Sequence, residues 1–240
     1  MQEELKSLCK TLKLSQHLAQ NCFTLEGESH AAFACQLFSA EVAYRDRLRK
    51  LRLYQQAGFP VAKSFEDYTW DQIKLPDVLS KEDLTKAQSI DRKENLILYG
   101  RTGTGKSHLA VALGTYVTQQ GKAVRFYRTA TLVNHLVEAR KEGGLKKLLK
   151  SFSKLSLLVL DEFGFVPLDR EGGQLLFQVI SDCYEKRSVL ITTNLEFSRW
   201  VNVLYDASMT AAMIDRLVHH GHLIIFDGES YRLKHALMKA

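Results

Sequence analysis

The sequence predicts an α/β protein, a parallel sheet flanked by helices on both faces and preceded by a small helical domain. From Asn95 onward, short and fully apolar segments alternate with amphipathic helical ones. A glycine-rich turn stands between the first of those strands and its helix, and a later strand ends in two consecutive acids. Strands that are apolar on both sides belong to a sheet covered on both faces.

Residues 1–57 read as helices. Their clearest stripe is Phe33, Leu37, Ala40, Tyr44, Leu48 and Leu51, which recurs at steps of three and four and so shares one helical face. Arg45, Arg49 and Arg52 share another face, either a solvated basic surface or a contact for phosphates or a partner protein. The punctuation Ala57-Gly58-Phe59-Pro60 ends the helix, which divides the chain into residues 1–57 and a larger unit, 58–240.

Leu96 to Tyr99 is the first strand, and the helix after it carries Leu109, Ala112, Leu113, Tyr116 and Val117 on one face until Gly121 stops it. Val124 to Tyr127 follows as a strand, then a helix with Leu132, Val133, Leu136 and Val137, then a basic segment. Leu157 to Leu160 is the next strand, a helix carries Leu175, Leu176, Val179 and Ile180, and Val189 to Thr192 is a strand again. A helix around Met209 to Leu217 and a hairpin of Leu223–Phe226 against Tyr231–Leu233, turned at Asp227-Gly228, close the pattern.

Composition sets the class. With 45% hydrophobic and 25% charged residues the 240-residue chain is that of a globular protein, and no apolar run approaches the length of a membrane span. The start, MQEELKSLCK, lacks an export-signal pattern, so a cytoplasmic protein with no membrane partner is expected. Cys9, Cys22, Cys35 and Cys183 form no CxxC pair and read as buried, reduced thiols. The net charge of +6 favours an anionic partner without identifying one.

The chemistry begins at Gly100-Arg101-Thr102-Gly103-Thr104-Gly105-Lys106-Ser107, the phosphate-loop pattern GxxxxGK[ST], placed between a strand and a helix as the physics requires. Its glycines let successive backbone N–H groups line a concavity for phosphates, and the helix N-terminus adds partial positive charge. Lys106 would reach the terminal phosphates and Ser107 would ligate Mg²⁺, with His108 completing the nucleotide-binding set. The strand Leu157–Leu160 delivers Asp161, suited to the Mg²⁺ shell, and Glu162, suited to the base for an attacking water. Consecutive acids point to hydrolysis. Asn194, in Thr192-Thr193-Asn194 at the end of the next strand, is a candidate partner of the water or γ-phosphate. Arg216, at a helix end, and Arg232, in the predicted last strand, are candidates for meeting transition-state charge. Phe65, Asp67 and Tyr68 are candidates for the adenine pocket by position only.

This order of motifs resembles the AAA+ ATPases, and within them the IstB/DnaC-like group of transposition helpers and helicase loaders. The resemblance covers nearly the whole chain and rests on GRTGTGKSHLA, LLVLDEFGFVPLD, ITTNLEFSRW and DRLVHHGHLIIFDGESYRLK, the last close to the IstB form. It implies that Arg216 is a finger acting in trans and Arg232 a second sensor arginine. It also implies homo-oligomers with ATP between subunits, and no separate C-terminal lid, since few residues follow Arg216.

DNA contact is expected of the segment holding Arg140, Lys141, Lys146, Lys147, Lys150 and Lys154, opposed by Glu142 alone, where a helix could lay a basic stripe along a phosphate backbone. Such binding would be largely insensitive to sequence. The leading function is therefore an ATP-dependent DNA-binding protein that oligomerises on DNA and stimulates a cognate transposase. A replicative helicase loader is the alternative. A metabolic P-loop kinase fits poorly with the acid pair and the two late arginines.

Overall fold

The computed structural model describes residues 1–66 and 68–234. Its elements run α1 (Gln2–Thr11), α2 (Gln16–Asn21), α3 (His30–Ala57), β1 (Ile73–Lys74), α4 (Lys81–Thr85), α5 (Gln88–Asp91), β2 (Asn95–Gly100) and α6 (Lys106–Gln119). They continue with β3 (Val124–Arg128), α7 (Thr129–Lys141), α8 (Leu145–Phe152), β4 (Leu157–Phe163), α9 (Arg170–Cys183) and β5 (Ser188–Thr193). A 3₁₀ turn (Phe197–Arg199), α10 (Val201–Leu204), α11 (Ala207–His219), β6 (Gly221–Phe226) and α12 (Tyr231–Lys234) follow.

The chain forms two compact units, Met1–Arg52 and the residues from Leu53 onward. In the first, Cys9, Leu18, Ala19 and Leu37 are buried together, with Leu5, Leu14 and Phe33 against them. Glu41 is buried beside this core. Its carboxylate accepts from the Ser15 N–H at 2.8 Å and from Arg45 Nε at 2.7 Å, so one of the basic residues of α3 serves an internal ion pair. The expected stripe of α3 loses its cover toward its end, where Leu51 is exposed. Gly58, at φ 76, takes the left-handed conformation that terminates α3. The unit boundary falls before that end because Ala57 packs into the core of the second unit and Tyr54 lies against Phe59.

The second unit is built on a six-stranded sheet of order β1-β6-β2-β5-β4-β3, parallel throughout except for β1, which pairs antiparallel with β6. Side chains alternate between two cores, as the strand period requires. In β4, Leu158 and Leu160 join the face covered by α7, α8, α9 and α11, while Leu157 and Val159 join the face covered by α4, α5 and α6. The expected α/β architecture and its strands over Leu96–Tyr99, Val124–Tyr127, Leu157–Leu160 and Val189–Thr192 are all present.

The predicted hairpin at the end is not formed. Leu223–Phe226 lies in β6, which runs parallel to β2 and takes β1 as its antiparallel neighbour, with Ile73 opposite Phe226. Tyr231 to Lys234 is a helical turn, so Arg232 sits on α12 and not on a strand. The chain bends at Gly228 without a hairpin turn, and the Asp227 backbone N–H donates to Gln72 O, just before β1. Of the cysteines expected to be buried, Cys9 and Cys183 are, but Cys35 is exposed and Cys22 only half-buried.

Asn95, buried at the start of β2, ties the base of the sheet. Its Nδ2 donates to Leu217 O at 3.1 Å and its Oδ1 accepts from Val189 N at 2.9 Å, joining the end of α11 to the start of β5. Asn95→Ala leaves both groups buried without partners, at a cost of about 1–3 kcal/mol each. We expect a lower thermal midpoint and easier urea unfolding of the variant, and a midpoint equal to that of wild type would remove Asn95 from this role.

Candidate functional site

The C-terminal edge of the parallel strands gathers the predicted chemistry. β2 ends at Gly100, and α6 begins at Lys106 with Gly105 as its N-cap at φ 94. Gly103, at φ 85, is also in the region that side chains avoid, and a Cβ there would collide with Ser230. These conformations turn the loop inward at the positive end of α6.

Lys106 is buried, and its Nζ donates to Gly100 O at 2.7 Å and Arg101 O at 2.6 Å, so the ammonium folds back over its own loop. Burial pushes it down to about 8, with Asp161 opposing the shift and Arg232 adding to it. Ser107 Oγ donates to Asp161 Oδ1 at 2.8 Å. A hydroxyl and a carboxylate brought together beside a phosphate loop form the hard oxygen set that suits Mg²⁺.

Asp161 and Glu162 owe their placement to a bulge. Leu160 pairs with Ile191 and Phe163 with Thr193, so two residues of β4 stand opposite Thr192 alone. Thr192 Oγ1 donates to Asp161 Oδ1 and accepts from the Glu162 N–H at 3.0 Å. Glu162 takes φ 58, an uncommon conformation for a residue with a side chain. Its carboxylate remains half-exposed, 3.5 Å from Arg128 Nε. Thr192 and Arg128 are members of this cluster that sequence reasoning did not single out. The signal for Thr192 was present in the Thr-Thr-Asn strand end, but the bulge that selects its first threonine was not.

The other candidates divide between two edges. Asn194 is exposed just past the end of β5, on the same edge as the acids. The Tyr231 N–H donates to Gly103 O at 2.9 Å, which sets α12 against the phosphate loop and brings the charge of Arg232 near Lys106. Arg216 is elsewhere. It lies in the last turn of α11, its Nη1 donating to Ala212 O at 2.8 Å and its guanidinium 5.2 Å from the Phe177 ring. That helix leads into Gly221, which pairs with Asn95 at the start of β2, whereas Phe226 pairs with Gly100 at the phosphate loop. Arg216 is therefore toward the opposite edge of the sheet from the loop of its own chain.

Two further groups complete the surroundings. The Tyr68 hydroxyl donates to Gly105 O at 3.3 Å, its ring is 4.9 Å from that of His108, and burial raises its phenol above the ordinary value. His108 Nε2 lies 2.9 Å from Ser64 O, and Phe65 stacks on Trp70, so the segment before β1 borders the loop. Asp67 lies outside the described residues. On α8, Lys146, Lys147 and Lys150 are exposed, while Leu145, Leu148, Leu149 and Phe152 face the core. Lys141 and Lys154 are also exposed, and Arg140 reaches Glu171 at 3.6 Å. Among the described residues no helix is long and apolar enough to cross a membrane.

A family model described as IstB-like ATP binding protein matches residues 4–239. The chain belongs to this family. It is 34% identical over 206 residues to the ATP-binding protein named for insertion sequence IS5376 of Geobacillus stearothermophilus, covering 86% of this chain and 82% of that one. To the protein named for IS21 of Pseudomonas aeruginosa it is 32% identical over 237 residues, covering 96% and 89%. Among solved structures it is similar to the DnaC helicase loader, with a TM-score of 0.54 and 21% identity over 72% of this chain and 98% of that one. Similarity to AMPPCP-bound DnaA from Aquifex aeolicus gives a TM-score of 0.56 and 15% identity over 76% of this chain and 57% of that one. These likenesses fix the fold as an AAA+ P-loop domain, and the family is one of ATP-binding proteins.

Thr192→Val keeps the shape of the buried side chain and removes the hydroxyl that bonds both acids. Were Asp161 to hold Mg²⁺, ATP turnover should fall about 10- to 100-fold, the range for losing a group that orients a metal ligand, with a higher Mg²⁺ requirement. ATP binding should be largely retained and Thr192→Ser should restore activity. Turnover of Thr192→Val within twofold of wild type would mean that the acids are oriented without it.

Proposed function

We propose that this protein is a Mg²⁺-dependent ATPase that assembles on DNA in its ATP form and stimulates a cognate transposase, hydrolysis permitting release. The observation that carries the reading is the separation of the nucleotide chemistry between the two edges of one sheet. Lys106, Ser107, Asp161 and Glu162 cluster at one edge, while Arg216 stands toward the other. An arginine so placed is suited to the ATP of a neighbouring copy.

In this reading the loop N–H groups and Lys106 bind and orient the phosphates. Mg²⁺, held by Ser107 and Asp161, would supply charge neutralisation to the transferring phosphoryl group. The bulge leaves Glu162 half-exposed and able to take a proton from the attacking water, with Asn194 on the same edge to orient that water. Arg232, on α12 against the loop, adds positive charge from the same chain. Arg216 supplies it from the neighbour. The exposed lysines of α8 give the phosphate backbone of DNA a sequence-insensitive partner, which the overall charge of +6 favours. The relatives named for insertion sequences support a transposase as partner, and residues 1–57 are proposed as its docking domain. Likeness to a helicase loader concerns the fold, and co-purification with a transposase or with a replicative helicase separates the two roles.

The shared site is tested by mixing. Arg216→Ala and Glu162→Gln should each be inactive, the first losing up to about a thousandfold. Co-assembled on DNA, they form junctions in which one variant supplies Glu162 and the other Arg216, so ATPase activity should return. A co-assembled mixture no more active than its components would place Arg216 outside the site.

DNA contact is tested separately. Replacing Lys146, Lys147 and Lys150 by Ala should weaken binding equally on all sequences and reduce the slope of log K against log salt by about 0.9 per lost contact. ATP affinity should not change. An unchanged slope would make the stripe a solvated face.

A further inference from the structure

The His-His pair that ends α11 takes no part in the nucleotide site, yet the fold sets it beside a third group able to bind metal. His219 is the last residue of α11 and His220 its C-cap, directly before β6. Glu185 stands in the turn between α9 and β5, at φ 56. The two turns are held together by Asn95, which bonds both Val189 and Leu217.

One ligand atom from each of Glu185, His219 and His220 lies within 4.8 Å of the other two, and all three residues are exposed. His220 Nε2 and Glu185 Oε1 are 3.3 Å apart. Two donors at tetrahedral angles on an ion about 2.0 Å away stand about 3.3 Å apart, so this edge already has coordination spacing. The remaining gap is within the reach of exposed side chains turning about their χ angles. An independent feature concerns the third ligand. Tyr184 Oη lies 2.8 Å from His219 Nδ1, and with the Nδ1–H donating to the phenol oxygen this contact would orient the ring and leave Nε2 free to ligate. Tyr184 also interacts with Glu185, so one phenol borders two of the three groups.

We propose that Glu185, His219 and His220 bind one divalent transition-metal ion of the zinc class, with the remaining position open to water. Two imidazoles and a carboxylate select such ions over Mg²⁺ or Ca²⁺, and the site lies at the starts of the strands, away from the phosphate loop. Binding clamps the end of α11 to the turn before β5. Arg216 lies one turn earlier on the same helix, against Phe177 of α9, so the clamp holds the helix that presents it.

The test uses the full chain without a polyhistidine tag, stripped by a chelator and titrated with Co²⁺ and with Zn²⁺. Wild type should take up one equivalent of Co²⁺ with visible d–d bands of a four- or five-coordinate ion, and Zn²⁺ should displace it. His219→Ala, His220→Ala and Glu185→Gln should each weaken Zn²⁺ binding at least tenfold while ATP binding and the thermal midpoint without metal stay as in wild type. His222→Ala should bind as wild type does, because His222 is engaged by Glu94 at 3.0 Å. No saturable uptake by wild type, equal uptake by the His219→Ala/His220→Ala double variant, or loss of uptake in His222→Ala would each overturn the site.

Discussion

Asp161 is a buried carboxylate, and the phosphate-loop end of the sheet is arranged around keeping it satisfied. A carboxylate taken out of water needs hydrogen bonds or an opposite charge close by. Here two hydroxyls from different elements, Ser107 at the head of α6 and Thr192 in β5, donate to the same oxygen. That oxygen joins the phosphate loop, β4 and β5 at one point. Because Thr192 also receives the Glu162 N–H, the bond network that holds Asp161 sets the backbone of the neighbouring acid as well. The extra residue in β4 is what makes this sharing possible, since without it Asp161 and Glu162 would face two successive residues of β5 instead of one.

Much of this was legible in the sequence because it is written locally. The phosphate loop, the apolar strands and the helical stripes each declare themselves within a dozen residues, through periodicity and glycine placement. The first threonine of Thr192-Thr193-Asn194 could not be singled out, because its importance depends on a mismatch with β4 some thirty positions earlier. The hairpin failed for a related reason. Leu223–Phe226 is a short apolar run followed by the Asp-Gly signal of a hairpin, but its antiparallel partner is Ile73–Lys74, a two-residue strand too short to announce itself. Once β6 was paired on both sides, Tyr231–Lys234 had no strand position left to fill.

The two late arginines show how topology sorts residues that look alike in one dimension. Both come late in the sequence and are followed by a leucine. One precedes β6 and is set toward the starts of the strands, while the other follows β6 and returns to the phosphate loop. Passing once along a strand is enough to give them different neighbours. The same transit leaves His219 and His220 at the far edge from the phosphate loop, next to the turn that carries Glu185.

The packing of Ser230 against Gly103 ties two distant stretches of sequence to a common fate. Gly103 has no room for a side chain, and the obstruction comes from Ser230, whose neighbour Tyr231 bonds the same glycine. Neither position can drift alone: a bulkier residue at 230 presses on the phosphate loop as surely as one at 103. Insertions between Phe226 and Ser230 would slide a different residue onto the loop and alter its shape without touching the motif. Across related chains, the length of that short connection should therefore vary less than an exposed turn ordinarily does.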